Sequence, residues 1–544
     1  MKDFRRFVIL TVFIIFGIVS NAQTILNKDS LVSDFSYLIQ LIESSHPDPY
    51  SGFGGKVFFH EAANSVIKDL YNTSCTQAMF IDKINVFLSN IHDGHTQLQY
   101  SQDDNIGRYA QRIGFRVIPE GLIVDGISTS HRELLGSRLD SINGVAVAEL
   151  VKRIGNLSPC ENIYGNYEAL HWSINGAGFL HNLGVKFTDS IRYSFHDTEG
   201  RPVSLTLPLV GEDSLSNVPI TFTPADPKIP YKNLNYQFVD STKRTMIIRV
   251  SRIKARENYE YCFKNRWDGA YNDIKAYYKY TLKKEIPSDT IKALAGIPSF
   301  SENFANMLKQ MKKYKSSNLI IDLRQNEGGW TPIVLPTLLM LYGDDYITKN
   351  MNVEFYTLIS PLYLHKINMT LDKLNQQQGT HYNLGDYISD NDKPISDTPV
   401  DSLRNIFIKD CMSSTCSLLA KLKGKPLYHP QHIYVVTDAG TFSAAFHYAF
   451  YLWRMGATVV GVPSSQAPNT FMENTPFSLP YTHLKGGISN SMQIFLPAND
   501  KRAKIFYPDL MPTYQDYKNY NFDANAEILY LLDTFDKAPS NILK

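Results

Sequence analysis

The sequence predicts a multidomain α/β chain, and three observations carry the prediction. At 544 residues the chain exceeds what one hydrophobic core fills, so several domains are expected. Hydrophobic residues make up 43% and charged residues 20%, the balance of an ordinary globular protein rather than a disordered one. The periodicity also changes twice: helical spacing gives way to short strands near residue 105, and then to strands alternating with helices near residue 232. The expected division is an address at 1–22, a helical region at 23–105, a β domain at 106–231 and a βα-layered domain at 232–544, interrupted at about 345–430.

The address rests on Lys2, Arg5 and Arg6, a nearly all-apolar run from Phe7 to Val19, and the small residues of Ser20-Asn21-Ala22. That order of charge, apolar run and small residues is a secretory signal. The run falls short of the roughly 20 residues a membrane span needs. The expected mature chain starts at Gln23 and is soluble, in the periplasm or outside the cell; an uncleaved anchor is the alternative. Lys plus Arg number 54 against 53 Asp plus Glu, so charge gives no reason to expect a nucleic-acid partner. Of the cysteines Cys75, Cys160, Cys262, Cys411 and Cys416, only the last two are close enough in sequence to suggest a pair. No CxxC spacing points to a metal, and no cofactor is expected.

In the helical region, Leu31, Phe35, Leu38, Ile39 and Ile42 fall on one face of a helix over 29–45, closed by His46-Pro47. A second helix runs from about Thr76 with Phe80, Ile84, Phe87, Leu88 and Ile91 inward. Gly94 is its expected stop, which sets His95 just past a rigid helix end. The β domain opens with a strand pair, Gly114–Ile118 and Gly121–Val124. A strand, an Asn143-Gly144 turn and a helix over Val147–Ile154 then resemble the second half of a PDZ domain. That resemblance makes Leu135, Gly136 and Ile142 the expected contacts for the carboxylate end of an extended peptide. The strands Ser190–Phe195 and Val203–Leu209 complete the sheet, with 156–185 inserted into it.

Beyond residue 232 the strands are Thr245–Val250, Asn318–Leu323, His432–Thr437 and Thr458–Val462. Helices carrying Phe304, Met307, Leu308 and Met311, then 335–342, then Ser443–Met455, alternate with them. Such alternation predicts mostly parallel strands in layers. The Tyr-, Asn- and Asp-rich stretch at 345–430 is expected to cap the site as a partly helical lid.

Three stretches carry chemistry. In Thr437-Asp438-Ala439-Gly440-Thr441-Phe442-Ser443-Ala444-Ala445 a strand ends, a glycine turn follows and a helix begins at Ser443. Free N–H groups at a helix start favour developing negative charge there, the logic of a nucleophile elbow; a serine at that place is also the ordinary N-cap. Asp322-Leu323-Arg324-Gln325-Asn326-Glu327-Gly328-Gly329 is a strand running into a loop whose glycines let backbone N–H groups approach a ligand. Gly328 or Gly329, with Ala444, is the expected oxyanion hole. His92-Asp93-Gly94-His95 offers His95 as a general base and Asp93 as its orienting partner. As metal ligands His92 and His95 lack a third partner.

These stretches, in this order, resemble the tail-specific or C-terminal-processing serine peptidase family, in its tricorn-like and retinoid-binding-protein-like branch. The Gly461-Val462-Pro463 strand end and Pro508-Asp509-Leu510 also resemble it. The resemblance implies a crotonase-like βα-layered peptidase domain and hydrolysis of peptide or unfolded substrates through an acyl-enzyme on Ser443. One branch of the family uses a lysine beyond the serine as base; here that region reads Ser464-Ser465-Gln466-Ala467-Pro468-Asn469. The tricorn-like branch uses an N-terminal histidine, matched by His95, and a glutamate before the Pro-Asp motif, which is missing. The base is therefore open between His95 and a more distant lysine such as Lys485. Two rival functions stand beside the peptidase: an inactive relative that binds peptides, and an apolar-ligand carrier of the same architecture.

Overall fold

The computed structural model describes residues 25–98, 109–110, 112–211, 214, 217–264, 270–349, 351, 353–391, 398–411 and 415–537. The address at 1–22 and the expected start at Gln23 lie outside them. Among the described residues, no helix is long and apolar enough to cross a membrane.

The first helix, Lys28–Ser45, is capped by the Asn27 side chain and buries Leu31, Phe35, Leu38 and Ile42 completely. A helix not anticipated from the pattern follows at Lys56–Asn72; it buries only Phe59, Ala63 and Leu70, too sparse a stripe to stand out. The next helix, Gln77–Ser89, begins at the Thr76 cap as expected but stops well before Gly94. The Asn90 amide donates to the carbonyls of Val86 and Phe87 at 3.0 and 3.2 Å, which satisfies the helix end there. Residues 91–94 are consequently a turn, with His92 at a φ of 57°.

The middle of the chain forms an antiparallel seven-stranded sheet in the order Ile220–Phe222, Gly121–Ser128, Arg138–Ile142, Ser190–His196, Pro202–Pro208. Gly114–Ile118 pairs with Gly121–Ser128, and Val145–Ala146 with Arg138–Ile142. Asn143 and Gly144 both have positive φ, 45° and 80°, the signature of a two-residue hairpin. The helices Ile163–Ser173 and Ala177–Asn182 occupy the expected insertion.

The central sheet runs Tyr236–Phe238, Thr245–Arg249, Asn318–Asp322, His432–Thr437, Thr458–Gly461, with its last three pairings parallel. Both faces are covered, so the central strands Thr245–Arg249, Asn318–Asp322 and His432–Thr437 are apolar through their middles. Met246, Ile248, Leu319 and Ile321 face a core with the helices Phe300–Tyr314, Leu335–Tyr342 and Ala444–Arg454. Ile247, Ile320, Val436 and Val460 pack instead on Ile528 and Leu531 of the C-terminal helix Ala526–Lys537.

The stretch at 345–430, expected as a partly helical lid, holds paired strands as well as helices. Its strands Glu354–Leu358 and Tyr387–Asn391 pair with each other, and the former also pairs with Lys485–Ile494. With Gln97–Leu98 and Thr470–Ser478 they build a second, antiparallel sheet. Arg404 fastens the helical part by a two-pronged bond to Asp344 at 2.8 and 2.7 Å. The stretch is woven into the fold through main-chain pairing. Cys411 and Cys416 form a disulfide.

Candidate active site

The turn after His432–Thr437 is fastened to the loop after Asn318–Asp322 at three points. The Gln325 N–H donates to Asp438 Oδ1 at 2.8 Å, the Thr441 hydroxyl to the Leu323 carbonyl at 3.1 Å, and the Phe442 N–H to the Asn326 carbonyl at 2.9 Å. Ser443 emerges from this double loop with φ 53° and ψ −127°, outside the helical region, and its side chain caps nothing. A non-glycine residue held at such angles costs about 1–3 kcal/mol. An N-cap serine would sit in the β region and accept from the following turn. Ser443 does neither, and it is only partly buried.

The glycines fit around it. A Cβ on Gly328 would lie 2.7 Å from Ser443 Cβ and 2.8 Å from Ala444 N, and one on Gly329 would lie 2.0 Å from the Ile253 carbonyl oxygen. Only glycine allows this approach. The expected oxyanion hole needs one correction. The Gly328 N–H donates to Asn326 Oδ1 at 2.9 Å, which takes it from a substrate. Gly329, with Ala444 at the first helical position, remains as the candidate donor pair. The Ser443 N–H is held by Gln466 Oε1, from the stretch in which the lysine is missing.

His95 lies beside the elbow, its ring stacked on Phe442 at 4.8 Å between centroids. Asp93, fully buried, does not bond that ring directly. Its Oδ1 accepts the His95 backbone N–H at 2.8 Å and lies 3.8 Å from Nδ1, too far for a hydrogen bond. Its Oδ2 faces His46 Nε2 at 3.2 Å and accepts from Thr96. Burial pushes Asp93 up, but the His46 bond, the charges of His46 and His95 and the Thr96 bond outweigh it and hold the carboxyl at about 2. Asp93 thus orients the turn that carries His95, and His92 is exposed and takes no part.

Sequence reasoning missed Glu161. It lies in the segment before Ile163–Ser173, with only 1% of its side chain exposed and Oε1 3.8 Å from His95 Nδ1. Its Oε2 accepts the Ala467 N–H at 2.8 Å. No local pattern marks it, because only the fold brings the insertion against the elbow. Burial, and then the charge of Asp93, push Glu161 well above the ordinary carboxylate range. Burial lowers His95 below its ordinary 6.5, against Asp93, Glu473 and the Phe471 carbonyl. His447, one turn into the elbow helix, is a second imidazole with no free nitrogen: Thr331 Oγ1 lies 2.9 Å from Nδ1 and Gln493 Oε1 2.7 Å from Nε2. Burial brings it down to about 4, so it is a neutral structural group.

The expected peptide contacts fare differently. Ile142 is fully buried and Leu135 packs on the same core. Gly136, at φ 82°, lies so close to Phe522 that a Cβ would come within 2.2 Å of its ring, and the Tyr514 hydroxyl donates to the Gly136 carbonyl at 2.9 Å. The C-terminal segment covers the place assigned to a peptide, so these three residues are packing positions.

A family model described as peptidase family S41 matches residues 293–485, which include Gly328, Gly329 and Ser443 and exclude His95 and Glu161. No curated protein matches the chain. Among solved structures, mature CPAF complexed with lactacystin is 13% identical, with a TM-score of 0.56 over 93% of this chain and 98% of that one. Mature CPAF itself matches at 13% identity and a TM-score of 0.55 over the same shares, 93% and 98%. At that identity the likeness is one of fold.

Proposed function

We propose, on the match of residues 293–485 to the model of peptidase family S41, that the chain is a serine peptidase acting through an acyl-enzyme on Ser443, with His95 as base. The observation that carries the reading is Ser443 itself. Its strained backbone is fixed by two loops and performs no capping, with Gly328 packed close against its Cβ and the His95 ring stacked on the adjoining Phe442. Strain of this kind persists only where the surroundings impose it.

In the proposed reaction Ser443 Oγ attacks the substrate carbonyl while its proton passes to His95 Nε2, since Nδ1 faces the carboxylates of Asp93 and Glu161. The oxyanion is met by the N–H groups of Gly329 and Ala444. The imidazolium, stabilised by Asp93 and Glu161, returns the proton to the leaving amine, and water then hydrolyses the ester by the same steps. Glu161 takes the place of the glutamate that the sequence lacks before its Pro-Asp motif. Steady-state kinetics on an unstructured peptide test the assignment. Ser443→Ala is expected to abolish turnover and His95→Ala to lower it by about 10² to 10⁴. A rate indifferent to His95, with Ser443 still essential, would move the base elsewhere, to Lys485 first.

A further inference from the structure

We propose that Asp93, His95 and Glu161 form a site for a divalent transition-metal ion, zinc by its ligand set, and that the bound ion holds the peptidase inactive. One ligand atom from each residue lies within 4.8 Å of the others. His95 Nδ1 is 3.8 Å from both Asp93 Oδ1 and Glu161 Oε1. Zinc bonds of about 2.0–2.2 Å in a tetrahedral shell set ligand atoms roughly 3.3–3.5 Å apart. The two edges at His95 are thus within about half an ångström of that spacing, and the edge between the two carboxylates, at most 4.8 Å, closes by side-chain rotation.

A second observation points the same way. His95 Nδ1 and Glu161 Oε1 are both buried and have no hydrogen-bond partner among the described residues, and the Glu161 side chain is 1% exposed. Buried polar atoms are otherwise almost always paired. Their neighbours are arranged as outer-shell supports. Glu161 Oε2 is held by the Ala467 N–H, Asp93 Oδ2 by His46 and Thr96, and Asp93 Oδ1 by the His95 N–H. These bonds leave Oε1 and a lone pair of Oδ1 turned toward the imidazole. Among the described residues no Lys or Arg pairs with Asp93 or Glu161, so a dication would supply the missing positive charge. An imidazole among the ligands favours zinc over calcium or magnesium. The 14% exposure of His95 gives an entry path and a place for water as fourth ligand.

The consequence follows from the ring. A neutral imidazole has one nitrogen with a free lone pair and one with a proton. An ion on Nδ1 leaves the proton on Nε2, which then cannot accept the proton of Ser443. The inhibition rests on His95 being the base; the metal site does not, and the test separates them. Chelator-stripped Ser443→Ala protein, which needs no activity, is titrated with cobalt(II) and followed by visible absorption, then with zinc by calorimetry. One equivalent is expected to bind. Glu161→Gln and His95→Gln, checked for native circular dichroism, should each weaken binding by more than about tenfold, the least that loss of even an outer-shell partner costs. Wild-type protein should lose fluorophosphonate labelling at one equivalent of zinc and recover it with chelator. No binding, or binding unchanged in both folded variants, overturns the site. Binding without loss of labelling overturns the inhibition and leaves the site standing.

Discussion

At the scale of single residues, His95 is governed by two opposed influences. Burial disfavours its charged form, while Asp93, Glu473 and the Phe471 carbonyl favour it, and burial prevails. The base works as neutral imidazole, and a lowered value keeps it neutral to lower pH. The acid limb of kcat/KM should therefore lie below 6.5, the ordinary imidazole value, and disappear in His95→Ala. A limb at or above that value would show that the ring is solvated in the working enzyme. The sequence displayed Ser443, Gly328, Gly329 and His95 because each belongs to a contiguous run whose chemistry is local. Glu161 was invisible for the opposite reason: its role depends on a contact with a histidine in another region of the chain. Asp93 was legible as a partner of His95 but not in its geometry, because the backbone N–H, His46 and Thr96 take up its oxygens.

Elements were legible where a periodic apolar face is uninterrupted, as in Phe300–Tyr314 or the strand Asn318–Asp322 with all five residues buried. They were misjudged where a single side chain decides, as Asn90 does in ending its helix ahead of Gly94. The end of the strand His432–Thr437 carries a prediction of its own. Burial, then the charge of Glu168, raise the Asp438 carboxyl from 3.8 to about 7. In the unfolded chain it ionises near its ordinary value, so the folded protein binds the extra proton between the two. The penalty for ionising Asp438 is absent at low pH, grows as pH climbs from about 4 to 7, and is complete above. Asp93 and Asp322, both held at about 2, act in the other sense but only as pH falls below about 4. Asp438 thus makes stability fall as pH rises from 5 to 7, while His447 and His95, held below their ordinary value, make it rise over the same range. In denaturant melts between pH 5 and 7, Asp438→Asn should therefore gain stability relative to wild type as pH rises, because the penalty for ionising Asp438 is gone. An unchanged slope would mean that water reaches Asp438.

Across the whole molecule, the C-terminal segment joins the β domain to the central sheet. Arg324 grips Asp322 through two bonds of 2.9 Å and reaches Glu527 at 2.7 Å, while Arg116 donates to the carbonyls of Phe522 and Asp523 at 3.0 and 2.9 Å. This long-range closure is why a peptide groove read from Leu135, Gly136 and Ile142 is filled. It predicts that Gly136→Trp, harmless at an open groove, destabilises the protein by more than about 2 kcal/mol through overpacking and a positive φ. A melting temperature within a degree of wild type would mean that the segment lifts away. The proposed export belongs to the same scale. Intact-mass analysis of native protein should find Gln23 at the amino terminus, and a chain still beginning at Met1 would refute cleavage.

The central claim, that Ser443 is an activated nucleophile, is met most directly by labelling metal-free protein with a fluorophosphonate and locating the adduct by peptide mass spectrometry. A single adduct on Ser443 is expected, lost in Ser443→Ala and strongly slowed in His95→Ala. An adduct on another serine, or none on a folded chain free of metal, would contradict it.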